Sequence, residues 1–321
     1  MPVNNYDQWI PVEYSPDVIQ RVKQMSAVIT YGQPVPMSTE SRSTPRSGGV
    51  VMGGIGKGGA YNQDTTTAND AVWLYAQKFG GAVPIAEEDL NDSLADIVNA
   101  KTMDAATSFA KLFDNSCLGV TAAKSVAVMP DGSHPAYDSL YYLLTQSDAT
   151  TGYTANANIT QTATGNPALT YANMRAVLSI LEVGDYFDPG GTVVIAHPKF
   201  ADGLRGVLDG NNRPIFNESS NGTAGGGQGG PSMTLFGHPL QFSLGAKTST
   251  APTPTPTGNP LLIVASRNYL LVGNREPLSA QAIDGNTGLG ALSDTAWLKY
   301  RARKAFAVGH ENACAILEWR Q

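Results

Sequence analysis

The stretch Thr192-Val193-Val194-Ile195-Ala196-His197-Pro198-Lys199-Phe200-Ala201-Asp202-Gly203-Leu204-Arg205-Gly206-Val207-Leu208-Asp209-Gly210 sets the reading of the chain. Its first five residues are an unbroken β-favouring run. A run that short, with no polar alternation, predicts a strand covered on both faces. Pro198 then suits the first turn of a helix, where its missing N–H has no partner to lose. A helix is predicted over 198–208, stopped by Asp209-Gly210, because glycine readily takes the backbone conformation that ends a helix. His197-Pro198 stands at the strand's end and His238-Pro239 at another strand boundary, where turn chemistry accounts for both. A buried strand feeding a helix belongs to a lobe that layers helices on a sheet.

Working outward, 217–231 is a glycine-rich segment that composition predicts to be a mobile loop. The Thr/Pro tract 250–260 is predicted extended and solvent-facing, close to polyproline II. Strands are predicted at 261–265 and 269–272, and β-like runs at 297–308 and 313–319. Upstream, helices are predicted at 137–145 and 171–183, with an exposed Thr/Asn/Gly-rich loop over 149–168.

Further upstream, Glu87, Glu88 and Asp89 fit a helix start by meeting its positive dipole end. Leu90, Leu94, Ile97, Ala105, Phe109 and Leu112 follow at helical spacing, and no Pro or Gly intervenes before Gly119. One spine helix over about 86–113 is predicted, unusually long against a mean of about three turns. Residues 33–70 read differently. Pro34, Pro36, a Ser/Thr/Arg-rich run to Arg46 and the glycines Gly53 to Gly59 are flanked by Val50-Val51-Met52 and 71–75. A two-stranded ribbon with a flexible tip is predicted, and such a ribbon needs another surface to lie on. Ser15-Pro16-Asp17 reads as a capped start of a short helix ending near Ser26.

Composition narrows the function. Charged residues make up 15% of the chain, below the roughly 25% of soluble domains, so part of the surface is expected to be hidden against other subunits. The net charge of −6 argues against a nucleic-acid reader, which would carry a basic stripe. Cys117 and Cys314 lie far apart and outside any metal spacing, so both read as buried thiols. No signal peptide is expected at Met1–Gln8, and no run of 18 apolar residues suggests a membrane span.

Candidate chemistry is thin. Gly54-x-Gly56-x-x-Gly59 matches a dinucleotide fingerprint on paper, but that motif must open a helix, and Ala60 to Thr67 are poor helix formers. Lys57 is followed by Gly58 rather than Ser or Thr, so a phosphate loop of the Walker type fails too. His134, His197, His238 and His310 lie in no zinc spacing, and no GxSxG elbow occurs. No catalytic, cofactor-binding or metal residue is expected.

The order of these parts resembles the Hong Kong 97-like major capsid proteins of tailed bacteriophages. The residues carrying the resemblance are Ala196–Phe200 leading into Leu204–Phe216, then Thr234–Leu240, the run Arg301–His310, the last strand Ala313–Trp319, and Val83–Ser93 at the spine start. They cover nearly the whole chain in the family's order. The fold so implied is α+β: an N-terminal arm over 1–39, an extended hairpin over 40–78, a peripheral domain over 79–133 and 275–309, and an axial domain over 134–274 and 310–321.

The function so implied is a shell subunit, not an enzyme, forming pentamers and hexamers of an icosahedral head around double-stranded DNA contacted non-specifically. Gly54, Gly56, Lys57 and Gly59 at the hairpin tip, Glu87, Glu88 and Asp89 at the spine start, and Arg301, Arg303 and Lys304 are the expected assembly residues, the last three meeting acidic partners across subunits. Separate scaffolding, portal and cement or decoration proteins are the expected partners, since Met1 leads almost directly into the arm. The expected location is the virion, assembled in the host cytoplasm. Some family members weld subunits by a lysine–asparagine isopeptide bond. Lys57 could serve, but 294–304 contains neither Asn nor Glu, so no crosslink is expected. The alternatives are an encapsulin-like nanocompartment, a tail-tube protein, or an α/β enzyme binding a nucleotide on the glycine segment.

Overall fold

A computed structural model describes residues 24–50, 52–61, 69–92, 96–165, 167–208, 234–283 and 294–321. The strand that anchors the sequence reading, β6 (Thr192–Ala196), is buried at all five positions. It runs antiparallel to β9 (Leu261–Ser266), with Val194 opposite Val264, and β9 runs antiparallel to β12 (Cys314–Glu318). Beyond β12 lies β5 (Ile159–Gln161); on the other side of β6 lie β8 (His238–Phe242) and the two-residue β7 (Thr234–Leu235).

Alternate residues of this six-stranded sheet enter two cores. Val194, Ala196, Leu262, Val264, Ala315 and Leu317 face Met174, Val177 and Leu181 of α5 (Tyr171–Glu182) and Phe200 and Leu204 of α6 (Lys199–Arg205). Ile195, Ile263, Ala265, Cys314 and Ile316 face Phe113, Cys117 and Leu118 of α3 (Ile97–Leu118) and Leu140, Tyr141 and Leu144 of α4 (Leu140–Thr145). Helices on both faces explain why these strands are apolar without alternation. Gly203 lets α6 close on this layer: a Cβ there would run into Leu169 and come within 3.0 Å of the Trp319 ring.

A second, four-stranded sheet has the order β1 (Gln33–Pro36), β10 (Leu270–Ile283), β11 (Thr295–Val308), β4 (Gln77–Ala86). β10 and β11 pair over most of their length, from Leu270↔Val308 to Ile283↔Trp297, with register shifts on both sides of Glu276. Pro277, which cannot donate to a ladder, sits within the shifted stretch. Leu270, Val272, Phe306 and Val308 join the main core, so the two sheets share it at one end. A hairpin of β2 (Ser41–Arg46) and β3 (Asp70–Tyr75) forms a third, two-stranded sheet.

The structure corrects several expectations. The spine is not one helix: α2 (Glu87–Asp92) is separate from α3, because the Asp96 carboxylate accepts the Asn99 N–H at 2.9 Å and restarts the helix. α3 also runs past 113 to Leu118, ending where only Gly119 can pass the Lys247 carbonyl. Ser26 does not close a helix but caps a new one, α1 (Ala27–Tyr31); residues 15–23 lie outside the described set. The predicted 198–208 helix stops at Arg205, capped at Gly206. The first hairpin strand is the polar Ser41–Arg46 rather than the apolar run at 50–52, where Val50 and Met52 are exposed coil.

The 149–168 stretch is not a free loop. It contributes β5 and buries Tyr153, Asn158 and Thr162, the Asn158 amide donating to the Glu311 and Cys314 carbonyls. Asn115 likewise draws in the Thr/Pro tract. Its amide donates to the Gly245 and Lys247 carbonyls, and its Oδ1 accepts from Ser249 Oγ and the Thr253 N–H. The expected loop at 217–231 lies outside the described residues.

Candidate assembly surfaces

The hairpin has two unlike faces, as strand alternation demands. Leu74 is fully buried against Met37, Leu271, Ala305 and Ala307, which fixes β3 to the four-stranded sheet. Trp73 and Tyr75 point the other way, 52% and 38% exposed, with rings stacked 6.2 Å apart. Lys124 lies over the Tyr75 ring at 5.5 Å. Beyond the ladder the chain exposes Val50, Met52, Ile55 and Tyr61. The expected tip residues Gly54, Gly56, Lys57 and Gly59 are all exposed here, Gly58 is left-handed at φ +82°, and no helix begins among the described residues up to Tyr61.

Arg46 ties the hairpin base to the body. Its Nε donates to Asp70 at 2.7 Å and its Nη2 to the other oxygen of the same carboxylate, a bidentate pair within the ladder. It also reaches Asp148 at 3.1 Å and Glu311 at 3.4 Å, 102 and 265 residues away in sequence. The hydrogen bond to Asp70 raises the Arg46 pKa and in turn holds the Asp70 carboxyl below its usual range. His310 stacks on Tyr186 at 3.8 Å beside this cluster, and burial followed by the Arg46 charge pulls its pKa down.

Glu87, Glu88 and Asp89 occupy the first turn of α2, with Glu88 and Asp89 exposed, as the dipole argument expects. Arg301 and Arg303 project from one face of β11, and both find an acidic partner within the chain, Glu276, at 3.2 and 3.7 Å. Lys304 differs: it is only 7% exposed, its Nζ donates to Asn274 Oδ1 at 2.8 Å, and burial pulls its pKa down. It is therefore a packing residue of the single chain, not a surface charge.

Sequence reasoning missed the buried carboxylates that lock the segments together. Asp114 accepts hydrogen bonds from Ser26 Oγ, from Ala27 N–H at 2.9 Å, from Val28 N–H at 3.3 Å and from Ser243 Oγ at 2.5 Å. Burial pushes its pKa up, against the pull of the Ser243 and Ser26 hydroxyls. Glu318 accepts from Tyr141, Gln161 and Asn259, and the Tyr141 phenol is pushed up to about 12 by burial and then by that carboxylate. The available clue was the polar triplet Asp114-Asn115-Ser116 between Phe113 and Cys117, on a helix end that otherwise faces the core.

Among the described residues no cluster of His, Cys, Asp or Glu is placed to hold a metal, and no helix is long and apolar enough to cross a membrane. The fold is similar to solved structures from Mycobacterium phage Ogopogo (12% identity, TM-score 0.73, 99% of each chain covered) and Mycobacterium phage Bobi (14%, 0.67, 97% of this chain and 96% of that one). It is also similar to the capsid of a native GTA particle (13%, 0.63, 98% and 96%). No curated protein sequence matches. At such low identity these likenesses establish the fold, a mixed helix-and-sheet architecture of the Hong Kong 97 type. The phage capsid family model, however, matches residues 8–318, nearly the whole length. The chain belongs to the phage capsid family.

Proposed function

We propose that this chain is the major capsid protein of a tailed bacteriophage, assembling as pentamers and hexamers into a closed icosahedral head around double-stranded DNA. The observation that carries the reading beyond family membership is the hairpin. A two-stranded ribbon is marginal in water, and this one is fixed at its base by Leu74 and Arg46 while showing Trp73, Tyr75, Met52 and Tyr61 to solvent. An exposed apolar arm on a rigid base is a device for lying on a neighbour. In this reading β11, most of β4 and β10, α2 and α3 form the peripheral domain, 79–133 with 275–309, and β1 is added to its sheet by the N-terminal arm. The six-stranded sheet forms the axial domain, 134–274 with 310–321. The chain works by packing and not by catalysis, with scaffolding, portal and cement proteins as separate partners.

Negative-stain electron microscopy of the purified protein, expressed alone and with candidate scaffolding partners, tests this. Closed polyhedral shells or capsomer rings are the expected outcome, and DNA-free shells filled with a protein cargo would favour a nanocompartment instead. A monomer under every condition, stabilised by nucleotide, would overturn the reading.

A further inference from the structure

The face of the four-stranded sheet opposite α3 carries an uneven distribution of charge. Pairing across β10, β11 and β4 sets Glu276, Arg303 and Lys78 in one row, then Ser279, Arg301 and Gly80, then Gln281, Lys299 and Ala82, then Ile283, Trp297 and Pro84. The alternation in β11, with Leu298, Tyr300 and Ala302 buried and Trp297, Lys299 and Arg301 exposed, places these rows outward. Four cations thus share the face with a single carboxylate, and Glu276 already serves Arg301 and Arg303. Among the described residues, neither Lys78 nor Lys299 has an ion-pair partner. The absent side chain at Gly80 and the small one at Ala82 leave an open cleft of about 450 Å³ beside Lys78, Lys299 and Arg301. Its one acid, Asp131, accepts the N–H and hydroxyl of Ser133 and leaves three cations against one carboxylate around the cleft. In a chain of net charge −6, such a face calls for an acidic occupant.

The chain carries one where it cannot use it. Glu87, Glu88 and Asp89 follow directly on β4, and none makes an ion pair with a described residue; Lys101 lines the same cleft as Asp89 without pairing to it. Along β4 the turn stands five residues beyond Ala82, the partner of Lys299, and nine beyond Lys78. At 3.3 Å per residue that is about 16–30 Å, too far for the two surfaces to meet within one molecule. The other protruding element is not an acidic occupant: the hairpin, 40–78, carries Arg42, Arg46, Lys57 and Lys78 against Glu40, Asp64 and Asp70.

We infer that the acidic first turn of α2 in one copy docks on the basic sheet face of a second copy, over Lys78, Lys299 and Arg301. The contact is head-to-tail, because different patches of the same chain meet, and a head-to-tail contact closes into a ring when its rotation divides a full turn. The apolar row Ile283, Trp297 and Pro84 lies at the end of that face nearest the donor turn's own strand and gives the contact a dry margin. The inference rests on the shell reading and names the contact that reading leaves unspecified.

The test is charge reversal of the full chain on either side, followed by both together. Lys78→Glu with Lys299→Glu, and separately Glu88→Lys with Asp89→Lys, each raise the protein concentration needed for particle formation about tenfold or more, read by sedimentation velocity at low salt. The chain bearing all four substitutions returns to near the wild-type concentration, since the pairing is restored with its signs exchanged. All four positions are exposed, and unchanged circular dichroism melts of the unassembled variants separate lost assembly from lost folding. Wild-type assembly by either double variant, or a fourfold variant no better than the poorer of the two, overturns the docking and leaves the shell reading standing. A wild-type chain that never assembles overturns both.

Discussion

In the six-stranded sheet, β6, β9 and β12 are buried at every position; in the four-stranded sheet, β11 alternates buried and exposed residues from Leu298 to Ala302, and β10 is exposed from Ser279 to Ile283. Both sheets share one core at the Leu270–Val308 end. The difference is therefore not in folding competence but in what covers the second face. The first sheet is sandwiched by the chain's own helices. The second is covered by α3 on one face and, over its near half, by Leu74 of the hairpin on the other, while its far half keeps apolar and basic groups in water. One region is finished as a monomer; the other is half of an interface.

The sharpest way to break this contrast is to remove equal volumes from both sheets. Ile263→Ala, at a fully buried site ringed by both α3 and α4, costs about 2–5 kcal/mol of stability in urea denaturation of the unassembled subunit. Leu298→Ala, in a small buried cluster with Ile85 and Tyr300 edged by the half-buried Val83, Ile97, Ala105 and Leu278, falls at the lower end of that range, because open surroundings collapse more easily around the gap. Equal losses would dissolve the distinction.

The hairpin tie comes next. Arg46→Ala leaves Glu311, 8% exposed, without its cation and frees Asp70 and Asp148. The expected cost is about 1–3 kcal/mol. Hydrogen exchange should locate the loss: faster exchange at 41–46 and 70–75, with β6 and β9 unchanged. If β6 and β9 exchange faster too, the hairpin is part of the body's cooperative unit and not an arm hung on it.

These two regions were also unequally legible in the sequence. β6 was readable to the residue, because an unbroken apolar run has one physical solution, a strand covered twice. The hairpin's existence is readable from its glycines and flanking runs, but the apolar run at 50–52 gives no sign that the ladder uses Ser41–Arg46. Strand formation there is driven by the partner β3 and by Arg46 bonding to Asp70, neither of which leaves a periodic trace. The break before α3 was missed because helical spacing continues across it, while one capping carboxylate at Asp96 decides the register. Glu318 was illegible for a similar reason: a single polar residue in an apolar stretch looks like noise until its distant donors are known, whereas Asp114 left the triplet 114–116 as its one trace.

A smaller, pH-dependent effect belongs to the finished region. Burial, then the charges of Lys247 and Lys199, pull the His197 pKa from 6.5 to about 4, and its Nδ1 accepts the Lys199 N–H at 3.1 Å. The unfolded chain takes up a proton near pH 6.5, the folded chain only near pH 4. Stability is therefore fully present above about 6.5 and is lost as pH falls through that window. For a half-buried ring the screened effect is about 1–2 kcal/mol. His197→Gln flattens the wild-type decline between pH 6.5 and 4; a variant with the same decline assigns it elsewhere.

The last prediction has the smallest effect on the subunit. Trp73 is half exposed, and its main contact is the stacked Tyr75 ring, so Trp73→Ala changes the stability of the unassembled chain by under about 0.5 kcal/mol. In a protein whose hairpin merely decorates the surface, that would end the matter. Here the ring is the largest apolar group on an arm whose other face is sealed by Leu74, and half of it stays uncovered by the described residues, open to a second molecule. Aromatic anchors of that size dominate the energetics of interfaces. Trp73→Ala therefore raises the concentration needed for assembly by about tenfold while the urea midpoint stays where it was. Separation of the two readouts is what an unfinished surface predicts. A fall in both together would mean that the monomer already uses the Trp73 ring, and that the contrast between the two sheets stops short of the hairpin.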